Sequence, residues 1–237
     1  MIEVNGLVKR IGDKTILRGI QLKINKGETV GILGSNGAGK STLLKVLAMI
    51  MKPTSGTVTI AGQDIRKNAT ALKQMVGFLP HASMVYDHFS PYENLKFFGS
   101  IYHIPDLELR VSELIDQVGL KLFTHEPVRS FSLGMMQRIA IARAMIHRPQ
   151  LLLLDEPHTG LDQSAVEILN QVIEEMKKDQ ATILMVTHDF MQAAKICDRF
   201  IIIKGGRVAD DFSVAEGDAA ILYERYKQVV EGGKAGC

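Results

Sequence analysis

The chain has 237 residues, of which 46% are apolar, 23% are charged and 6% are aromatic. This composition is typical of a globular protein and excludes a largely disordered chain. The formal net charge of +2 is small and is not gathered in one basic segment, so it gives no support to a nucleic-acid partner. A chain of this length folds as one elaborated domain or as two small ones.

The two cysteines, Cys197 and Cys237, lie too far apart in the sequence to indicate a disulfide framework or a zinc site. We expect two reduced thiols, as in a cytosolic protein. The opening segment MIEVNGLVKR lacks the features of a secretory signal, and no run approaches the roughly 18 apolar residues that cross a bilayer. If the protein serves a membrane, we expect the membrane-spanning part on a separate chain.

Short runs with β-branched residues and much alternation, separated by turn residues, fill most of the first 65 positions. Strands are predicted in IEVNGLVKR, ILRGIQLKI, TVGILG and GTVTIAGQDI. One run, from Ser41 to about Met51 and shortly before Pro53, predicts a helix.

The segment from about 84 to 146 has helical spacing and predicts a helical insertion into an α/β frame. Its candidate helices are PYENLKFFGSIYHI, LELRVSELIDQVGL and MMQRIAIARAMIH. Beyond it, the apolar runs LLLLDEP and TILMVTHD flank a helix predicted from about Ser164 to Lys178, which is typical of parallel strands covered on both faces. The rest of the chain predicts a helix in DFMQAAKIC, a hairpin about Gly205-Gly206, and a last helix with a frayed end.

The segment GILGSNGAGKSTLL contains the pattern G-x-x-x-x-G-K-[ST] between a predicted strand and a predicted helix. That setting is typical of a phosphate-binding loop, whose backbone N–H groups and following helix N-terminus surround the phosphates of a nucleotide. Lys40 is expected to reach the β- and γ-phosphates, and Ser41 to hold Mg²⁺. The predicted nucleotide-binding residues of this segment are Gly34, Ser35, Asn36, Gly37, Ala38, Gly39, Lys40, Ser41 and Thr42.

A second candidate lies in LLLLDE, where an apolar strand ends in two carboxylates. Ligands of open α/β sheets bind at the carboxyl ends of strands. Asp155 is therefore expected to help hold the metal, and Glu156 to orient the attacking water. Without the phosphate loop, the alternative interpretation of this segment is a strand that merely ends in acidic residues.

The segment FSLGMMQR, residues 131–138, resembles the signature of ABC-type ATPases, commonly written LSGGQ and followed by a QR pair. PHTGLD after Glu156 resembles the loop that follows the catalytic carboxylate in this family, and VGFLPH resembles the loop that faces the permease. His188 follows an apolar strand, as a histidine of the family does. The order and the spacings match from Met1 to about Gly217, and the chain is identified as similar to the nucleotide-binding subunit of an ABC transporter.

This resemblance implies an α/β fold of the P-loop NTPase type. Its parts would be a RecA-like, mainly parallel sheet core, an N-terminal antiparallel β-subdomain and an inserted helical subdomain. A single ABC ATPase domain would span 1–217, with the helical subdomain at about 84–146, and a C-terminal helix and flexible tail would span 218–237. The implied ligands are ATP and Mg²⁺, with Glu156, His188 and Lys40 catalytic.

The resemblance also implies a composite site between two ATPase subunits, either a homodimer or a pair with a paralogue. The signature of one subunit would close over the nucleotide of the other, and Asp162 would lie in the loop between them. The signature residues are Ser132, Leu133, Gly134 and Met135. Without the other motifs, FSLGM is an ordinary loop capped by Ser132.

Three positions depart from the family pattern. Leu133 replaces the first glycine of the signature, Ile11 stands where an aromatic residue usually stacks on adenine, and His81 stands where a glutamine usually contacts Mg²⁺ and water. We expect Ile11 to cover the base without ring stacking. His81 either approaches the metal as a neutral imidazole or has only a steric role in its loop. The other histidines show no metal spacing and are interpreted as surface or packing residues: His88, His103, His125, His147 and His158.

The implied function is to power export through a separate integral membrane permease, with the ATPase at the cytoplasmic face of the membrane. Local segments such as FLPH and MVYDHFSPYENL resemble the haem-exporter branch used in cytochrome c maturation. The alternative is a soluble ABC ATPase that assists assembly, for instance of iron–sulfur clusters. No nucleic-acid partner is expected.

Overall fold

The computed structural model describes residues 1–215 and 217–232, and within them the chain forms ten strands and eight α-helices. The strands are β1 (Ile2–Ile11), β2 (Lys14–Ile24), β3 (Thr29–Leu33), β4 (Ser55–Ile60), β5 (Gln63–Asp64), β6 (Val76–Leu79), β7 (Leu151–Asp155), β8 (Thr182–Val186), β9 (Arg199–Lys204) and β10 (Arg207–Ser213). The helices are α1 (Lys40–Leu47), α2 (Ala69–Lys73), α3 (Pro91–Ile101), α4 (Leu107–Gln117), α5 (Leu133–Met145), α6 (Gln163–Lys178), α7 (Phe190–Ile196) and α8 (Ala219–Glu231).

The strands form two sheets of different kinds. Four antiparallel strands make the first sheet, in the order β2–β1–β4–β5. Six strands make the second sheet, in the order β10–β9–β3–β8–β7–β6, and all of its pairs are parallel except β9 with β10. The predicted α/β fold, with a mainly parallel core and an N-terminal antiparallel sheet, is confirmed.

The helices α3, α4 and α5 all lie within the segment for which a helical insertion was predicted, and the hairpin of β9 and β10 turns at Gly205-Gly206 as expected. The division into a domain over 1–217 and a C-terminal segment over 218–237 stays a prediction. The predicted frayed end lies partly outside the described residues, which stop at 232. No helix within the described part of the chain combines the length and the apolar composition that a membrane span requires.

Three local predictions were incomplete. The first helix ends at Leu47 and not at about Met51, because the chain reverses at Met49, whose φ of 56° is not helical. The short elements α2 and β6 were not predicted as regular structure. β6 has only four residues, and its Gly77 leaves room for α5, since a Cβ there would lie 2.4 Å from the Ala144 carbonyl oxygen. Such a short, glycine-containing run carries little periodicity.

The parallel sheet separates two apolar cores. Leu151 and Leu153 of β7 face the core that contains α1 and the first sheet, whereas Leu152 and Leu154 face the core that contains α5, α6 and α7. This alternation follows from the two-residue period of a strand. Because both faces are covered, β7 and β8 are buried over their whole length, and apart from Thr182 at the start of β8 their side chains are apolar until Asp155 ends β7.

Four neighbouring parallel strands, β3, β8, β7 and β6, end at one edge of the sheet. Val186 of β8 pairs with both Ile32 of β3 and Asp155 of β7, which aligns these three carboxyl ends. The segments that follow the four strands therefore lie along one edge; they are the loop 34–39, His188, Glu156 and His81. This edge is where open α/β sheets bind their ligands.

His147, at the end of α5, gives the fold a testable pH dependence. Its ring stacks on Tyr102 at 4.1 Å, and Nε2 lies 3.2 Å from the Val76 carbonyl oxygen. Burial lowers the pKa of His147 from 6.5 to about 4. As the pH falls below 6.5, the unfolded chain takes up a proton that the folded chain refuses, so the free energy of unfolding falls until about pH 4.

We expect the parent protein to lose about 2 kcal/mol of stability through this histidine between pH 7.5 and pH 5. His147→Phe retains an aromatic ring on Tyr102 but removes the titration, so its stability should depend less on pH. Urea unfolding of both proteins at the two pH values measures the difference. An identical pH dependence in the two proteins would contradict the assignment.

Candidate active site

The loop 34–39 joins β3 to α1 and leaves the start of α1 without a side-chain cap. Gly39 occupies the N-cap position and its carbonyl accepts the first helical hydrogen bond, from Leu43 at 2.9 Å. In contrast, a Ser or Asp side chain caps each of α3, α5, α6, α7 and α8. Among the described residues, none caps the N–H groups of Lys40, Ser41 and Thr42. These groups can therefore receive an anion.

The glycines of this loop have two different roles. A Cβ on Gly34 would lie 2.3 Å from the Ile203 carbonyl oxygen, and one on Gly39 would lie 2.8 Å from the side chain of Leu17. Gly37 has a φ of 78°, but the position of its missing Cβ is open. Gly34 and Gly39 are thus required by packing inside the protein, and Gly37 by the turn of the loop itself.

Lys40 is buried, and its ammonium group donates to the carbonyl oxygens of Gly34 and Ser35 at 2.7 and 3.1 Å. These contacts hold the side chain across its own loop. Burial lowers the pKa of Lys40, and the charges of Glu156 and Asp155 oppose that shift. The positive charge of Lys40 therefore lies between the loop and the two carboxylates.

The two carboxylates at the end of β7 contact different partners. Asp155 continues the face of Leu151 and Leu153, toward α1, and accepts a hydrogen bond from the Ser41 hydroxyl at 2.9 Å. The two oxygen ligands predicted for Mg²⁺ are therefore adjacent. Oxygen donors of this kind suit Mg²⁺, so the residues present fit the ion.

Glu156 points toward His188. Its backbone has a φ of 55°, which is unusual for a residue with a side chain, and its N–H donates to the Val186 carbonyl oxygen at 2.8 Å. The carboxylate accepts from the backbone N–H of His188 at 3.2 Å and contacts the ring Nδ1 at 2.8 Å. Because a carboxylate can only accept, Nδ1 carries the proton and Nε2 is left free. The strained backbone is the kind of feature that clusters at functional sites.

A cavity of about 520 Å³ gathers most of these groups. Its lining residues are Ile16, Asn36, Gly37, Gly39, Lys40, Ser41, Thr42, Lys45, His81, Asp155 and Glu156. Ile16 and Lys45 were not predicted. Lys45 lies one turn after Ser41 on α1, so the helical period could have indicated it, whereas Ile16 follows the hairpin turn of β1 and β2 and carries no motif.

Other predicted residues lie outside this cavity. Ile11 is 47% exposed at the end of β1 and does not line the cavity, so its contact with a base stays a prediction. Asp162 caps α6 by accepting from the Ala165 N–H at 2.8 Å. Its predicted position between two subunits also stays a prediction.

The signature segment is likewise separate from the cavity. Ser132 accepts a hydrogen bond from the Met135 N–H at 3.2 Å and so caps α5. This cap is what an ordinary loop before a helix would also show. Ser132 and Leu133 are exposed, whereas Gly134 is buried against α6 within this chain. Leu133 also packs against Gly160, where a Cβ would lie 2.4 Å from it. Contact of this segment with a nucleotide would need a second subunit.

A family model described as ABC transporter matches residues 17–159. The chain belongs to the ABC transporter family. It is an ATP-binding subunit of this family and an ATPase.

Two relatives and one solved structure illustrate the similarity. The ABC transporter ATP-binding protein NatA of Bacillus subtilis is 37% identical over 231 residues, which cover 94% of this chain and 92% of that protein. The Nod factor export ATP-binding protein I of Ralstonia nicotianae is 34% identical, covering 87% of this chain and 65% of that protein. A solved ATP-binding cassette, described as the dimeric post-hydrolysis state bound to ADP and Pi, has a TM-score of 0.83 and 27% identity over 90% of this chain and 98% of that one.

These ABC relatives do not single out the haem-exporter branch that local segments such as FLPH had favoured. FLPH lies at the end of the short strand β6, and MVYDHFSPYENL forms a loop and the first turn of α3. Loops vary without changing the fold. The names of the relatives do not favour the assembly-factor alternative either.

The two kinds of glycine in the phosphate loop give a prediction. Gly34→Ala should lower the free energy of unfolding by about 1–3 kcal/mol, because the new methyl group overlaps the backbone at Ile203. Gly37→Ala is the matched control: it should cost less stability but weaken ATP binding, since its methyl group enters the open cavity. Urea unfolding and titration with a fluorescent ATP analogue measure the two effects. Equal stabilities of the two variants would contradict this account.

Proposed function

We propose that this chain powers export through a separate membrane permease by hydrolysing ATP at the cavity beside the phosphate loop. The observation that carries the proposal is the contact between Glu156 and His188 at 2.8 Å, at the same sheet edge as the loop 34–39. It supports an acid–base pair next to a phosphate-binding cradle. That combination suits phosphoryl transfer to water.

The proposed nucleotide contacts follow from the free groups of the cavity. The uncapped N–H groups of Lys40, Ser41 and Thr42 donate to phosphate oxygens, and Lys40 exchanges its loop carbonyls for the β- and γ-phosphates. Ser41 and Asp155, with His81 at the rim, would hold Mg²⁺. When bound, Mg²⁺ supplies positive charge that stabilises the charge developing on the phosphates.

We propose that Glu156 and His188 act on the attacking water and its proton. Glu156 accepts a hydrogen bond from the attacking water and so orients it, as its position at the cavity wall allows. The Nδ1–H of His188 is held by Glu156, which turns Nε2 outward. Nε2 accepts a hydrogen bond from water when the ring is neutral and donates to a phosphate oxygen when the ring is protonated.

We propose that the functional unit contains two ATPase subunits, either two copies or one copy and a paralogue. The exposure of Ser132 and Leu133 at the N-terminus of α5 supports this, since both are free to meet another chain. The helix start is also favourable for a partner's phosphate. Asp162 lies in the neighbouring loop and would contact the partner there.

The proposed permease contact is a groove between β6 and the helices α3 and α5. Phe78, Met84, Phe98 and Tyr102 line it, and Arg143 lies 5.2 Å from the ring centre of Phe98. Met84 is 60% exposed at its edge. A short, partly apolar helix of a permease fits such a groove, and would keep this chain at the cytoplasmic face of the membrane.

For the transported substance, we propose the direction of transport, export, and no particular chemical class. The relative from Ralstonia is named for Nod factor export, which supports export in general. Haem export for cytochrome c maturation stays a prediction from local resemblance. Nothing in the cavity selects a cargo, because its lining serves the nucleotide.

Glu156→Gln tests the proposed chemistry. The amide retains the size of the side chain but loses the charge that orients water, so we expect ATP binding to persist while turnover falls about 10²-fold or more. The bound ATP should then accumulate in a dimer, which size-exclusion chromatography with Mg-ATP detects. Glu167→Gln, an exposed carboxylate of α6, is the control. Near-normal turnover of Glu156→Gln would refute the assignment.

Met84→Asp tests the permease groove. A charge at this exposed apolar edge should remove the integral membrane protein that co-purifies with the tagged parent from solubilised membranes, while ATP hydrolysis by the isolated subunit stays within about twofold. Leu122→Asp, which is 89% exposed elsewhere, should retain the partner. Equal capture by both variants would place the permease at another surface.

A further inference from the structure

His158 is a buried polar residue that the proposed chemistry does not use. It lies two residues after Glu156 and is only 7% exposed. Its ring Nε2 is 2.9 Å from the side-chain oxygen of Asn170 on α6, and its Nδ1 has no hydrogen-bond partner among the described residues. The interpretation of His158 as a surface or packing residue is therefore incomplete.

Asn170 also contacts α7, the helix that begins beside His188. Its side-chain nitrogen donates to the Gln192 side-chain oxygen at 2.9 Å, and the Gln192 N–H donates to Asp189 at 3.0 Å. Asp189 is the N-cap of α7 and the neighbour of His188 in the chain. The amide orientation of Asn170 leaves its oxygen for His158, so Nε2 of His158 carries the proton.

These contacts connect the segment of Glu156 to the segment of His188 at two places. The segments that hold Glu156 and His188 meet directly at the cavity through the 2.8 Å contact of those two side chains. They meet again behind it, where His158 is connected to Gln192 through Asn170. Two separate connections between two segments fix their relative position better than either one alone.

We propose that His158 is a positioning residue for ATP hydrolysis, which acts through Asn170 and Gln192 to hold the start of α7, and with it His188, against Glu156. The need for such support follows from exposure: the side chain of His188 is 74% exposed, so few neighbours restrain it. A misplaced catalytic group can cost up to about 10²-fold in rate.

The charge state of His158 is consistent with this role. Burial lowers its pKa, although the hydrogen bond with Asn170 and the charges of Asp189 and Glu156 oppose the shift. The ring therefore stays neutral near pH 7 and donates from Nε2 alone. A glutamine side chain can donate from nearly the same place, whereas a leucine of similar size cannot.

The inference rests on the proposed roles of Glu156 and His188, and the test separates the two. His158→Leu should lower kcat about tenfold with KM for ATP within about twofold, because binding groups are untouched. His158→Gln should restore kcat to within about twofold of the parent. A variant that merely disturbs the core would not be rescued in this way. Parent-like kcat in His158→Leu would overturn the inference, whereas a failure of the proposed function shows itself as normal turnover in Glu156→Gln.

Gln192→Ala keeps the inference testable if His158→Leu does not fold, since Gln192 is only half-buried. It should lower kcat to a similar extent, and the double variant should be no slower than the slower single one, because the two residues act in one connection. Gln171→Ala, exposed beside Asn170, is the control and should match the parent. Parent-like kcat in Gln192→Ala, or effects that multiply in the double variant, would overturn the inference.

Discussion

Parallel pairing of β3, β8, β7 and β6 is the constraint on which the active site depends. Parallel strands in register bring their carboxyl ends to one edge, and Val186 pairs with residues on both of its sides to do so. Because β7 and β8 are covered on both faces, a slip that drew Asp155 into the apolar interior would bury a charge without a partner, and the native register avoids this. The apolar composition of these strands thus positions polar residues that contribute nothing to the core themselves.

The same constraint explains how two adjacent carboxylates serve different partners. Side chains alternate along a strand, so Asp155 follows Leu153 toward α1 and meets Ser41. Glu156 lies just beyond the strand, where its positive φ interrupts the alternation, and its carboxylate meets His188. The positive φ of Glu156 costs about 1–2 kcal/mol for a residue with a side chain. That cost is offset by its backbone hydrogen bond to Val186 and by the buried strand before it.

The sequence alone predicted most of this edge, because strand ends and the phosphate loop are local patterns. The loop 34–39, Asp155 and Glu156 each follow an apolar strand directly, and the hydrophobic pattern indicates where such a strand ends. It did not predict β6, which is too short for its period to stand out, or Ile16, which reaches the cavity because β2 packs beside Gly39 of the phosphate loop. The contacts of His158 were also beyond prediction, since they join residues of three elements that share no sequence spacing. The proposed contacts of Ser132 with a partner's nucleotide involve a second chain, and one sequence carries no information about that geometry.

Leu133 stands where the signature usually has a glycine, and a small residue elsewhere in the same chain makes room for its side chain. Leu133 packs on Gly160, where any side chain would overlap it, so the larger residue is accommodated by a smaller one in the loop after Glu156. Gln137, one turn further along α5, donates to the Pro157 carbonyl oxygen at 3.2 Å in the same loop. The helix that begins with the signature is therefore joined twice to the loop that begins with the proposed catalytic carboxylate. In the proposed pair of subunits, a displacement of Ser132 by the partner's nucleotide would be transmitted to Glu156 of its own chain through these two contacts, because Leu133 is next to Ser132 and Pro157 is next to Glu156.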